Sequence, residues 1–149
     1  MSIGYVCTRE VVILDPEASI REAARLMRNH HVGAVVVVEE RSACPYPVGI
    51  LTDRDIVLGA VALDVGPEEA TVGDLMSTDL LVARESDDVS RTMEAMKKRG
   101  VRRIPVVDGD GCLVGIVTAD DLIEFIGAQI SDLAVAISRE QKREVEVRA

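Results

Sequence analysis

The spacing of apolar residues changes repeatedly along this chain, and each change marks an element. Glu10–Leu14 is short, apolar and β-branched, the composition of a strand. Ser19-Ile-Arg-Glu22 has the form of a capping box. Ile20, Ala23, Ala24 and Met27 follow at helical spacing, which predicts a helix to about Asn29. Ala34–Val38 is an unbroken apolar run, short enough to be a strand buried on both faces. Glu39–Pro47, with Pro45 and Pro47, reads as a loop, Val48–Leu51 as the next strand, and Thr52 as the start of a second helix. The same order then returns: strand Leu80–Ala83, helix Asp88–Arg99, strand Arg103–Val107, turn Asp108–Gly111, strand Cys112–Val117 and a helix from Thr118. Between the two runs, Asp64–Gly73 reads as an acidic linker that turns at Gly66-Pro67.

The second run is a copy of the first. Shifted by 69 positions, Ile3–Val38 falls on Val72–Val107, with Gly4 on Gly73, Thr8 on Ser77, Met27 on Met96 and Val35–Val38 on Ile104–Val107. With the next loop shortened by three residues, Val48–Ile56 falls on Val114–Leu122. A single β-α-β-β-α unit of this size buries too little surface to be stable alone. Two such units can pack sheet to sheet about a pseudo-twofold axis, which leaves two equivalent clefts between them. The expectation is a mixed α/β (α+β) chain, with repeats at 1–63 and 74–127, a linker at 64–73 and a helical extension at 128–149. In that extension Ile123, Ile126, Ile130, Leu133 and Ile137 recur at helical spacing. Such a helix either folds back on its own module or forms a dimer or docks a partner. Arg139–Arg148 mixes both charge signs and is expected to be solvated or frayed.

Composition narrows the classes of function. The 149 residues carry 17 Lys and Arg against 26 Asp and Glu, a net charge of −9. A chain so acidic is a poor partner for a nucleic-acid polymer, whose affinity for proteins comes largely from neutralised phosphates. Tyr5, Tyr46 and Phe125 are the only aromatics, too few for a base-stacking platform. The longest apolar stretches, Val32–Val38 and Ile56–Leu63, fall far short of the roughly 18–20 residues of a membrane span. The first ten residues lack the basic start and apolar core of a signal peptide. The expected compartment is the cytoplasm, and Cys7, Cys44 and Cys112 are expected to be reduced, inert thiols.

Each copy carries Gly-Ile-x-Thr-x-x-Asp, as Gly49–Asp55 and Gly115–Asp121. A structural explanation is available: Thr and Asp three apart start a helix, and the glycine permits close strand packing. Chemistry supplies another. A helix N-terminus offers unpaired N–H groups and a positive dipole end to phosphate. The threonine adds a hydroxyl, the carboxylate can accept from both hydroxyls of a ribose, and the glycine lets a flat base approach the backbone. Between Met96 and Val107 lie Lys97, Lys98, Arg99, Arg102 and Arg103 with no acid. The first three suit a helix C-terminus, whereas Arg102 and Arg103 open a strand and suit phosphate recognition. His30 and His31 are expected to be solvated or to cap a helix.

Other chemistries find no support. No phosphate-binding Gly-x-x-x-x-Gly-Lys motif and no zinc-like Cys/His grouping is present. Asp108-Gly-Asp-Gly111 lacks the later ligands of a calcium loop and reads as a hairpin turn. No motif suggests a Ser/His/Asp set.

Two units ending in Gly-Ile-Leu-Thr-Asp-Arg-Asp and Gly-Ile-Val-Thr-Ala-Asp-Asp, with Val32–Val38 and Gly100–Val107 as central strands, resemble a tandem pair of cystathionine-β-synthase (CBS) domains over about residues 3–126. The likeness is to small stand-alone bacterial CBS pairs. It implies a non-enzymatic, regulatory module that often dimerises through its helices. It also implies an adenosine-containing ligand between the repeats: AMP, ADP or ATP, ahead of NAD or S-adenosylmethionine. The ribose-binding carboxylate of the family falls on Asp55 and Asp121, its helix-start hydroxyl on Thr52 and Thr118, and the hydroxyl opening each repeat on Thr8 and Ser77. Its phosphate-binding basic pair falls on Arg102 and Arg103, which are expected to serve the ligand held by Asp55. Gly33 and Ala34 stand at the matching places in the first repeat, so the cleft at Asp121 is expected to lack this clamp. No effector domain is expected in the chain, and the output then goes to an effector protein or to self-association. The alternative is a ligand-independent dimeric interaction module with vestigial clefts.

Overall fold

The computed structural model describes residues 1–149. The first repeat contains α1 (Ile3–Val6), β1 (Ile13–Leu14), α2 (Ile20–His30), β2 (Ala34–Arg41), β3 (Cys44–Thr52) and α3 (Asp53–Gly59). The second contains α4 (Val72–Leu75), β4 (Ala83–Arg84), α5 (Val89–Arg99), β5 (Arg103–Val107), β6 (Leu113–Thr118) and α6 (Ala119–Arg148). The 69-residue shift holds to the residue for α1 and α4 and for α2 and α5. Each repeat forms one three-stranded sheet, ordered β1-β2-β3 and β4-β5-β6, with the first pair parallel and the second antiparallel. This is the mixed α/β architecture with a C-terminal helix that the repeat pattern predicts.

Local sequence explains the helix boundaries. Ser19 Oγ accepts from the Glu22 N–H at α2, and an Asp88 carboxylate oxygen accepts from the Ser90 N–H at α5. Both helices end on a residue in the left-handed region, His31 (φ 54°) and its counterpart Gly100 (φ 64°). His31 therefore terminates a helix, as expected for a capping position.

Two elements differ from expectation. The strand predicted over Glu10–Leu14 is only Ile13–Leu14, because β1 pairs with β2 at just those two positions. Glu39–Pro47 is not a loop. β2 continues to Arg41, Ser42 and Ala43 turn the chain at φ 51° and 62°, and β3 begins at Cys44. Pro45 and Pro47 are tolerated because β3 is an edge strand, where a missing N–H need not break a ladder. The helix of the extension runs to Arg148, and Arg139–Arg148 is exposed throughout, in keeping with the solvated end expected there.

The packing has one feature that the repeat boundaries conceal. Ile3 belongs to the core of the second repeat, with Ala83, Val89, Met96, Ile104, Val106, Val117 and Leu122. Its counterpart Val72 belongs to the core of the first, with Leu14, Ala18, Ala23, Met27, Val35, Val37 and Leu51. The opening segments are exchanged. The Ile3 and Gly4 N–H groups donate to the Asp87 and Glu85 carbonyls at 2.7 and 2.9 Å. The Val72 and Gly73 N–H groups donate to Ala18 and Pro16 at 2.7 and 2.8 Å. A Cβ on Gly4 would lie 2.9 Å from Glu85 Cβ, and one on Gly73 3.0 Å from the Pro16 carbonyl, so both exchanges need glycine.

Cys44 and Cys112 are joined as a disulfide, which corrects the expectation of free thiols. The tips of the β2–β3 and β5–β6 hairpins meet across the two repeats and bring the Cα atoms to 5.6 Å, within bonding range. Nothing in the cysteine spacing shows this. Cys7 remains free, and burial pushes its thiol above the ordinary range. No helix is long and apolar enough to cross a membrane.

Candidate functional site

The chain crosses from strand to helix at Thr52 and at Thr118, and both crossings are full capping boxes. The Asp55 N–H donates to Thr52 Oγ1 at 3.1 Å while the Thr52 N–H donates to Asp55 Oδ2 at 2.8 Å. The same pair at Thr118 and Asp121 spans 3.1 and 2.9 Å. The helix-starting role of the motif is therefore real. It leaves the second carboxylate oxygen and the hydroxyl proton of each box free for a ligand.

One cavity of about 460 Å³ collects Thr52 and Asp55 from the first repeat with Ser77, Arg102 and Arg103 from the second. Its lining adds Ile50, Asp53, Arg54 and Val101, which the motif reading did not single out although Asp53 and Arg54 lie inside the Thr-x-x-Asp turn. The volume falls within the usual range for small-molecule sites. Arg102 Nη2 pairs with Asp120 Oδ1 at 3.3 Å, but both side chains are largely exposed, so the pair is weak and easily exchanged for an anion.

A second cavity, of about 340 Å³, holds Thr118 and Asp121 with Glu10, His31, Gly33, Ala34 and Asp120. Two expectations need correction here. Arg103 lines this cavity too, so it does not lack arginine. A Cβ on Gly33 would lie 3.3 Å from an Arg103 guanidinium nitrogen, which shows how the small residue at that place admits the arginine. Thr8 does not line this cavity. It lies in an adjoining groove with Arg9, Leu26 and His30, continuous with the cavity through Glu10, Val11, Val12 and Val32.

The contacts of the motif glycines are those of close strand packing. A Cβ on Gly49 would lie 2.6 Å from Met76 Sδ and 2.9 Å from the Ser77 carbonyl. One on Gly115 would lie 2.8 Å from Cys7 Sγ and 2.9 Å from the Thr8 carbonyl. The N–H and C=O groups of Ser77 pair with Ile50, and those of Thr8 with Ile116, at 2.9–3.1 Å. Each glycine lets the opening segment of the other repeat lie against its strand, which places Ser77 in the Asp55 cavity and Thr8 in the groove adjoining the Asp121 cavity.

A family profile described as CBS domain matches the chain twice, over residues 3–60 and 72–128. The chain belongs to the CBS domain family. Among curated relatives of this CBS pair, a CBS domain-containing protein of Bacillus subtilis, YhcV, is 38% identical over 122 residues, covering 81% of this chain and 82% of its own. An uncharacterized protein of Methanopyrus kandleri is 36% identical over 124 residues, and the chain spans 62% of its length. Two solved structures show the same fold around bound molecules. The CBS domain pair of protein MJ0100, in complex with 5′-methylthioadenosine and S-adenosyl-L-methionine, has a TM-score of 0.75 and 26% identity, covering 87% of this chain and 98% of its own. A CBS domain protein of Pyrobaculum aerophilum complexed with AMP has a TM-score of 0.73 and 27% identity, covering 82% and 90%.

Proposed function

We propose that this CBS pair is a non-enzymatic regulatory module that senses adenosine-containing molecules. In this reading the cleft at Asp55 takes AMP, ADP or ATP. One observation carries it: Thr52, Asp55, Ser77, Arg102 and Arg103, drawn from both repeats, line a single cavity large enough for a nucleotide. The free oxygen of Asp55 accepts from the ribose hydroxyls. The α3 N-terminus and the two arginines meet the phosphate, as charge-assisted and bidentate geometry favours. The cleft at Asp121 takes an adenosyl ligand of lower negative charge, since Glu10, Asp120 and Asp121 outnumber Arg103 there. Because the ligand touches both repeats, its binding favours one relative placement of the two, and an effector protein or self-association reads that shift.

Thermal melting with AMP, ADP, ATP, NAD and S-adenosylmethionine tests this. A ligand at 100 times its Kd adds about 2.7 kcal/mol of stability. Asp55→Ala abolishes the response to AMP, and Arg102→Ala weakens AMP more than adenosine. A panel with no shift at all overturns the sensing role and leaves an interaction module with vestigial clefts.

A further inference from the structure

We propose that the distal part of α6 pairs with the same segment of a second copy as an antiparallel, two-stranded coil. This rests on the self-association reading above and not on the ligand reading. Of α6, Leu122 is buried, and every residue from Ile126 onward is exposed. Ile130, Leu133 and Ile137 are 62, 67 and 57% exposed. A helical stretch of this length with no tertiary packing is marginal in water unless an apolar stripe is covered.

The order of the stripe says what covers it. Ile123, Ile126, Ile130, Leu133 and Ile137 are spaced three, four, three and four residues apart. That spacing fits a coiled-coil seam over two heptads, and the exposure of Ile130, Leu133 and Ile137 shows that the stripe does not lie on its own module. The positions flanking the seam are Gly127, Gln129, Ala134 and Ala136, all uncharged and three of them small, so two helices can approach closely.

Charge decides the direction. The first ten residues of the helix, 119–128, carry Asp120, Asp121 and Glu124 and no base. Residues 139–148 carry Arg139, Lys142, Arg143 and Arg148 against three glutamates. A parallel pair would stack the acidic thirds on each other and set Glu140 and Glu144, both on the seam, against their own copies. An antiparallel pair lays the acidic third beside the more basic one and opposes the helix dipoles. Its register sets Ile126 beside the partner's Ile137 and Ile130 beside the partner's Leu133, each twice, and leaves Glu140 at the end of the seam beside the partner's Ile123 rather than against its own copy.

Light scattering on the full chain gives the mass of a dimer. The Ile130→Glu, Leu133→Glu double variant gives a monomer while keeping the thermal response to AMP and the melting transition of the module. Spin labels at Glu146→Cys, in a Cys7→Ser background, report the direction. In the antiparallel register the two labels lie about 45 Å apart along the axis, whereas a parallel pair holds them within about 20 Å. A monomeric wild type, a double variant that remains dimeric, or a short label distance overturns the proposal. None of these outcomes bears on ligand binding, which the melting response reads separately.

Discussion

The two clefts descend from the same motif and differ in charge. At the cleft of Asp55, Arg54, Arg102 and Arg103 face Asp53 and Asp55. At the cleft of Asp121, Arg103 alone faces Glu10, Asp120 and Asp121. The capping boxes that build them agree within 0.1 Å, so the scaffold is not the source of the difference. It comes from substitutions at matched places, Arg102 against Gly33 and Arg54 against Asp120. A duplicated fold keeps its geometry and changes specificity through a few side chains at the rims of the clefts. Arg103, which lines both cavities, ties the two sites together.

The largest effect tests whether the clefts share one frame. The Cys44–Cys112 bond closes a span of 68 residues and joins the repeats. Reduction, or Cys44→Ser, lowers stability by about 4 kcal/mol on the chain-entropy account. For a chain of this size that is a fall of about 10–15 °C in melting temperature by calorimetry. Both clefts should loosen together, and a loss of binding at one alone would show that the repeats do not move as a pair.

Removing the arginines separates the clefts. Arg103→Ala weakens an anionic ligand at both, whereas Arg102→Ala acts at the Asp55 cleft only. Loss of a charge-assisted hydrogen bond, about 1.5–3 kcal/mol, is roughly a tenfold to hundredfold loss of affinity by titration calorimetry. An equal effect of Arg102→Ala at both clefts would erase the distinction between them.

The glycines test the shared scaffold. Gly49→Ala and Gly115→Ala each push a methyl group against the opening segment of the other repeat, and each costs about 1–3 kcal/mol in denaturant melts. Similar costs confirm that the exchange of segments is symmetric.

The smallest effect distinguishes the two opening helices. α4 has a full capping box between Thr71 and Asp74, whereas Ser2 makes no side-chain cap on α1. Thr71→Ala costs about 1 kcal/mol, and Ser2→Ala costs little. The Thr71 N–H holds the Asp74 carboxyl below its ordinary value of 3.8. A folded-state value below the unfolded one means that this contribution is complete above about pH 3.8 and is lost as the pH falls through the lowered value. An acid titration followed by circular dichroism should show that limb, and Asp74→Asn should flatten it.

Much of this was legible in the residues. The repeat, its offset and the helices of each unit were fixed by apolar spacing and by capping residues such as Ser19, Thr52 and Thr118. These are local signals, read within a few positions. The convergence of Thr52, Asp55, Ser77, Arg102 and Arg103 on one cavity was anticipated through a family resemblance, because no local rule links residues separated by half the chain. The β2–β3 hairpin was missed since its prolines look like loop residues unless the strand is known to lie at an edge. Arg103 was assigned to one cleft because repeat matching says which position it occupies but not how far its guanidinium reaches. Gly49 and Gly115 admitted two readings, close strand packing or the approach of a base, and the fold identifies the segment that packs there.

The sequence by itself determined that the chain is a duplicated β-α-β-β-α unit with paired Thr-x-x-Asp helix starts, since periodicity and capping act over a turn or two of chain. The tertiary structure alone decided the rest. It set Ile3 in the core of the second repeat and Val72 in that of the first, bonded Cys44 to Cys112, and put Arg103 on both clefts. These contacts join residues that lie far apart in the chain, and packing of two sheets about a common axis is what brings them together.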